Sequence, residues 1–265
     1  MGTEDPAATG NPIGAGIPDG PGQSVRIWRI PLSGPIQPGT DEDPFLAELE
    51  KLLDADELSR ARSGRLPGVR RRFVISHAAT RILLGERLGR PPDGLRFVRG
   101  RWGKPAVADA PGLHFSLSHS GELALLALAP RPVGVDLELV RSGRDVHRLS
   151  RRFFPCQEEE LVARGGRPAF ARLWARKEAC VKAAGGRLTE GLALPVAHTS
   201  GQATVHAPVS GPFTGPWRVA DLPLPEEYAG SVALLGDGPF CVSGGVWYPI
   251  APGDSDPAPR KPGVK

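Results

Sequence analysis

At 265 residues the chain has room for one large domain or two small ones, and its 34 Gly and 29 Pro bring it close to the composition of disordered chains. The excess gathers at the ends, so 1–24 and 250–265 are predicted to be disordered tails around a body, 25–249, long enough to bury a core. The formal charge of +4 allows an anionic ligand or partner. No apolar run nears the about 18 residues of a membrane span, and Glu4 and Asp5 stand where a signal peptide is basic, so a cytoplasmic protein off the membrane is expected.

The body opens with alternating Val25–Ile30, a strand stopped by Pro31. Residues 44–63 read as one helix with Phe45, Leu49, Leu52 and Leu53 on a face, and 69–88 as a second, ended by Gly89. Leu95–Val98 is a short strand and Trp102–Pro105 a turn. Strands follow at 113–118, 123–129 and 133–139, with a turn at His119-Ser120-Gly121 and a Pro-bounded break at Pro130–Pro132. Arg144–Phe154 reads as a helix, a short one runs from Pro155 to Val162, and Ala169–Ala184 is closed by Gly185-Gly186. Short strands near 203–206, 217–219 and 231–235 complete the body. The pattern predicts an α+β fold in two halves, 25–130 and 131–249. At an offset of 101 residues, Phe73 meets Trp174, Ala78 meets Ala179, Arg81 meets Lys182 and Gly85 meets Gly186, an internal echo consistent with duplication.

Three stretches hold chemistry. In Val133-Gly-Val-Asp-Leu-Glu138 the carboxylates of Asp136 and Glu138 share one strand face, as a site for a hard cation or as a solvated acidic face. Glu178 and Lys182 are i, i+4 on a helix, the spacing of an ordinary surface pair. In Phe115–Gly121 the hydroxyls and His119 suit either a phosphate or a turn. Arginine outnumbers lysine 27 to 6, which draws attention to Lys104, Lys177 and Lys182, where a compact ammonium stands in place of the default guanidinium. The three cysteines, Cys156, Cys180 and Cys241, fit a reducing compartment better than a disulfide or zinc framework.

Taken in order, Gly103-Lys104-Pro105, Phe115-x-x-Ser118-His119-Ser120, Val133-Gly-Val-Asp136-x-Glu138 and Trp174-x-x-Lys177-Glu178-Ala-x-x-Lys182 resemble the 4′-phosphopantetheinyl transferase superfamily, in its surfactin-synthetase-activating, pseudo-dimeric branch. The resemblance runs from about Val25 to Tyr248 and includes Arg81-Ile-Leu-Leu-Gly85 and Arg152-Phe-Phe154. It implies two similar α/β halves in pseudo-twofold arrangement with the active site in the cleft between them. It also implies a monomeric enzyme that moves the phosphopantetheine arm of coenzyme A onto a serine of an apo acyl, peptidyl or aryl carrier protein and releases adenosine 3′,5′-bisphosphate. By the same resemblance, Asp136, Glu138 and Glu178 hold Mg²⁺, or Mn²⁺ in its place. Arg81, Lys104, Pro105, Ser118 and His119 meet the nucleotide, Lys182 touches the pyrophosphate, and Glu178 is a candidate base. The upstream basic residues at the nucleotide fall among Arg60, Arg62 and Arg65, in a region interrupted by Gly64 and Pro67-Gly68.

A rival reading, a nucleic-acid-binding module built on Arg70-Arg71-Arg72, lacks interleaved aromatics, which are 6% of the chain. An inactive relative that only binds carriers would not need Asp136, Glu138, Glu178 and Lys182 together. Between 144 and 154, Val146, Leu149 and Phe153 form an apolar face, and Arg144, Arg148, Arg151 and Arg152 form a basic stripe that suits an acidic carrier helix.

Overall fold

The computed structural model describes residues 24–33, 44–64, 68–140, 145–198, 201–207, 213 and 215–248. The predicted tails lie outside these, apart from Ser24, and so do Arg65 and Arg144. Compactness divides the chain into two units, one of 1–30 with 96–246 and the other of 31–95 with 247–265.

The smaller unit is helical. The single helix expected over 44–63 is two, α1 (Pro44–Glu50) and α2 (Ala55–Ser63). The break has a local cause: Asp54 is the N-cap of α2, accepting from the Glu57 N–H at 2.9 Å, while the Glu57 carboxylate accepts from the Asp54 N–H at 3.1 Å. Such a capping box favours a fresh helix start over continuation. Helix α3 (Val69–Leu88) runs as predicted and ends where Gly89, at φ +64°, takes the left-handed cap position.

The larger unit holds two four-stranded sheets and a small hairpin. In chain order its strands are β1 (Ser24–Pro31), β2 (Phe97–Arg99), β3 (Pro105–Val107), β4 (His114–Ser120), β5 (Leu123–Ala129), β6 (Val133–Leu139), β7 (Gln202–His206), β8 (Pro216–Asp221), β9 (Tyr228–Leu235) and β10 (Cys241–Val246). The sheets are ordered β10-β1-β5-β4 and β6-β9-β8-β7, with β2 and β3 paired alone. The expected break at Pro130–Pro132 therefore falls between β5 and β6, where the chain changes sheets. Strand β4 carries on through His119 and Ser120, which pair with Ala124 and Leu123, so the turn comes later than predicted.

Strand β6 shows how the layers form. Val133, Val135 and Leu137 enter a core with Val25 and Ile27 of β1, Leu125 and Ala127 of β5, and Val232 and Leu234 of β9. The intervening Gly134, Asp136 and Glu138 turn to the opposite face. On that side a second core gathers Phe154, Val162, Phe170, Leu173 and Val181 with Trp217 and Val219. Each buried Val, Leu, Ile or Phe among them stabilises the unit by roughly 1.5–3 kcal/mol.

The remaining helices are α4 (Val146–Phe153), α5 (Cys156–Ala184) and the short α6 (Leu188–Gly191). Helix α5 is broken at Gly166 (φ +59°, ψ −143°), two residues before Pro168. Glu158 and Lys177 would stand about 30 Å apart on one straight helix, yet their charged groups meet at 2.5 Å. The two arms therefore fold back on each other, consistent with the two helices read from the sequence. Phe154 stacks on Phe170 at 5.3 Å beside this buried ion pair.

Candidate active site

The site begins with a missing side chain. A Cβ built on Gly134 would lie 2.0 Å from the Ala179 carbonyl oxygen and 2.4 Å from the Ala183 nitrogen. Only glycine lets the second arm of α5 lie this close to β6, and the closeness brings Glu178 and Lys182 against Asp136.

Asp136 is 3% exposed. Its Oδ1 accepts from the Ser118 hydroxyl at 2.8 Å and from the Lys182 ammonium at 2.6 Å, and that ammonium also donates to Ser118 Oγ at 3.0 Å. Asp136 Oδ2 is equally buried and has no hydrogen-bond partner. Glu178, half-buried one turn before Lys182, has its carboxyl raised above the ordinary value by burial and by the Asp136 charge, with Lys182 opposing. Glu138 follows two residues after Asp136 and is half-buried.

Strand β4 is stitched to β6 by alternate serines. Ser116 Oγ accepts from the Val135 N–H at 3.1 Å and Ser120 Oγ from the Leu139 N–H at 3.0 Å, with the Ser118–Asp136 bond between them. The constant offset of nineteen residues between the backbone partners shows that the strands run in the same sense. These hydroxyls satisfy amides at the sheet edge that would otherwise lack partners. Sequence reasoning treated them as turn or phosphate groups; their period of two was the available signal.

A cavity of about 480 Å³ begins at Ala183, one residue past Lys182, and is lined by Arg101, Trp102, Lys104, Pro105, His114, Phe115 and Ala183–Gly185, among others, but by none of Asp136, Ser118, Glu178 and Lys182. Lys104 donates to the carbonyls of Val133 at 2.9 Å and Ala183 at 3.0 Å, and burial lowers its ammonium to about 8. Trp102 carries Arg187 at 3.8 Å and Arg101 at 4.7 Å from its ring centre, contacts that sequence reasoning missed.

The remaining predicted residues are placed elsewhere. His119 alternates to the other side of β4 from Ser118 and is exposed. Arg81 sits in the helical unit, fully buried, bonding Glu57 and Asp54 at 2.7 Å each and the carbonyls of Pro92 and Leu95. In this enclosure the guanidinium ties α2 and α3 to the loop that follows. Arg60 lies beside Asp56 at 3.2 Å and over Phe73, whereas Arg62 is exposed. Lys177 is a core group, paired with Glu158 and donating to the Leu194 carbonyl.

Among the described residues, no three His, Cys, Asp or Glu side chains converge as a ready-made metal site. The donor types nevertheless suit a hard divalent ion, because Asp136 offers a buried, unpartnered carboxylate oxygen and Glu178 stands in its field. Among the described residues, too, no helix is long and apolar enough to cross a membrane.

Comparison with known proteins agrees with this arrangement. Residues 132–233, which include β6 and both arms of α5, match the model of the 4′-phosphopantetheinyl transferase superfamily. The chain is 33% identical over 222 residues to 4′-phosphopantetheinyl transferase HetI of Nostoc sp., covering 81% of this chain and 89% of that one. It is 30% identical over 184 residues to 4′-phosphopantetheinyl transferase Sfp of Bacillus subtilis, covering 61% and 80%. It is 39% identical over 142 residues to 4′-phosphopantetheinyl transferase AcpT of Salmonella typhi, covering 51% and 70%. With the carboxylate and ammonium pair that β6 and α5 bring together, these likenesses place the chain in the 4′-phosphopantetheinyl transferase superfamily, as an enzyme.

Proposed function

We propose that the protein transfers the 4′-phosphopantetheine arm of coenzyme A to a serine of an apo acyl, peptidyl or aryl carrier protein, releasing adenosine 3′,5′-bisphosphate. The observation that carries this reading is the cluster of Asp136, Ser118, Lys182 and Glu178, with a cavity lined by Lys104 starting at the residue after Lys182. A carrier serine needs to lose a proton, and the diphosphate it attacks needs cations around it. Asp136, Glu138 and Glu178 would hold Mg²⁺, or Mn²⁺, which when bound offsets negative charge on the diphosphate. Glu178, with its raised carboxyl, would accept the serine proton, directly or through water. Lys182 supplies a mobile ammonium to the diphosphate, and Lys104 and Pro105 lie at the cavity that would take the nucleotide end. Ser118 acts through Asp136, whose carboxylate it positions.

The two halves, 25–130 and 131–249, are read as a duplicated fold in pseudo-twofold arrangement. Strands β1, β4 and β5 contribute one four-stranded sheet and β6–β9 the other, with β10 returning to the first. The working form proposed is a cytoplasmic monomer, with Asp136, Glu138, Glu178 and Lys182 supplied by a single chain. The test is to incubate the protein with coenzyme A, Mg²⁺ and an apo carrier protein. Mass spectrometry should show the carrier gaining one phosphopantetheine group, with adenosine 3′,5′-bisphosphate in equal amount. A carrier of unchanged mass would overturn the reading.

A further inference from the structure

Asp136 is a buried carboxylate whose neutralising charge comes from its own chain. Two donors, Ser118 Oγ and Lys182 Nζ, converge on Oδ1, and Oδ2 has none. An enclosed anion without a countercharge is strongly unfavourable, so the ammonium 2.6 Å away is what makes the site tolerable as it stands. A divalent ion drawn to Oδ2 would have that ammonium as a close neighbour of like charge. The same carboxylate is thus claimed by two cations.

The side chain that holds the position is suited to giving it up. Lysine presents a compact charge on a flexible stem, unlike the planar fork of arginine. Buried Arg176, for comparison, is fixed by both Asp221 oxygens and two carbonyls. Lys182 is half-buried, with 31% of its side chain exposed, so its ammonium has room to swing toward solvent or a ligand.

We propose that Lys182 is a displaceable internal cation. It neutralises Asp136 in the resting enzyme and leaves when a divalent ion and a diphosphate arrive, so that metal affinity is held down until coenzyme A binds. This inference rests on the proposed reading of the site. It makes Lys182 a coupling residue between metal and substrate as well as a diphosphate contact.

Mn²⁺ binding to the full-length protein, read from the electron paramagnetic resonance signal of the free ion, tests it without turnover. Lys182→Met should bind Mn²⁺ about tenfold more tightly than the parent when coenzyme A is absent, a typical size for coupling between sites. Coenzyme A should tighten Mn²⁺ binding by the parent and do so far less in the variant. In an Asp136→Asn background the same lysine change should give no tightening, whether residual binding is weak or absent, because the competition passes through that carboxylate. Melting adds an independent readout: Lys182→Met should be destabilised without metal and regain more of its melting temperature on adding Mn²⁺ than the parent gains. If Lys182→Met does not purify, Lys182→Gln carries the same expectation. Unchanged or weaker Mn²⁺ binding in the variant overturns the inference, as does equal tightening with Asn at 136. The mass-spectrometric assay separates the two failures. An adduct formed by a protein without this metal behaviour leaves the proposed function standing and removes only the exchange, whereas no adduct removes the function itself.

Discussion

Glu178 and Lys104 show how single groups are tuned by where the backbone puts them. Burial and the neighbouring Asp136 charge make ionised Glu178 unfavourable in the protein alone, so its carboxylate answers a functional demand more readily than a structural one. Glu178→Gln should therefore lower phosphopantetheine transfer by at least about a hundredfold while leaving the melting temperature equal or higher; near-parental turnover would remove Glu178 from the site. Lys104 leads to a pH test. Burial lowers its ammonium to about 8, so the charge available to an anion is lost as pH rises through that value. The Michaelis constant for coenzyme A should climb between about pH 7.5 and 9, and Lys104→Arg, which stays charged, should flatten the climb. Equal profiles for the two proteins would show that Lys104 does not meet the nucleotide. At this scale the sequence was readable for Asp136, Glu178 and Lys182, because a strand period and a helical i, i+4 spacing fix their faces. The ion pairs of Arg81 were not readable, since Asp54 and Glu57 stand 27 and 24 residues earlier, on the cap and first turn of another helix.

At the level of elements, α2 and α3 are joined by charge rather than by a wide apolar face. Burial alone would raise the Glu57 carboxyl, but hydrogen bonds from His77 and Arg81 and the Arg81 charge outweigh it and hold it at about 2. The unfolded chain then binds more protons than the folded one below the ordinary value of 4.5, so this stability is present above that value and is lost as pH falls toward 2. Melting followed from pH 6 to 2 should show that slope, and Glu57→Gln should reduce it; an unchanged slope would place the acid sensitivity elsewhere. Breaking the buried pair with Arg81→Ala should cost about 3–5 kcal/mol. Helix α4 carries a different kind of charge: Arg148 is exposed, Arg151 lies 3.5 Å from Glu159, and Arg152 lies over Phe153. If α4 meets an acidic carrier helix, Arg148→Glu should raise the apparent Michaelis constant for the carrier severalfold and leave that for coenzyme A nearly unchanged. The defect should shrink as salt screens it, and both constants moving together would instead assign Arg148 to the nucleotide site or to the fold. Helix α3, punctuated by Gly89, the apolar run of β5 and the alternating β6 were legible from sequence alone. Strand β3 was hidden in what reads as a turn, and β10, Cys-Val-Ser-Gly-Gly-Val, has too few apolar residues to announce itself.

Across the whole molecule, β10 pairs in parallel with β1, from Ser24 against Cys241 to Arg29 against Val246. The fit depends on Gly244, at φ +143°, where a Cβ would come within 1.8 Å of the Ile27 carbonyl oxygen. Gly244→Val should therefore peel β10 away and cost at least about 2 kcal/mol, by the overpacking argument; an unchanged melting temperature would mean that the pairing contributes little. The pairing also has a consequence for how the protein is born. Strand β10 is synthesised roughly 210 residues after β1, so at usual elongation rates the edge of β1 waits roughly ten to forty seconds for its partner. During that interval a hydrogen-bonding edge bearing Val25 and Ile27 is open to any other nascent strand. Completion of the first sheet thus waits on the synthesis of β10, and the yield of active protein should depend on what shields β1 while the intervening chain is being made.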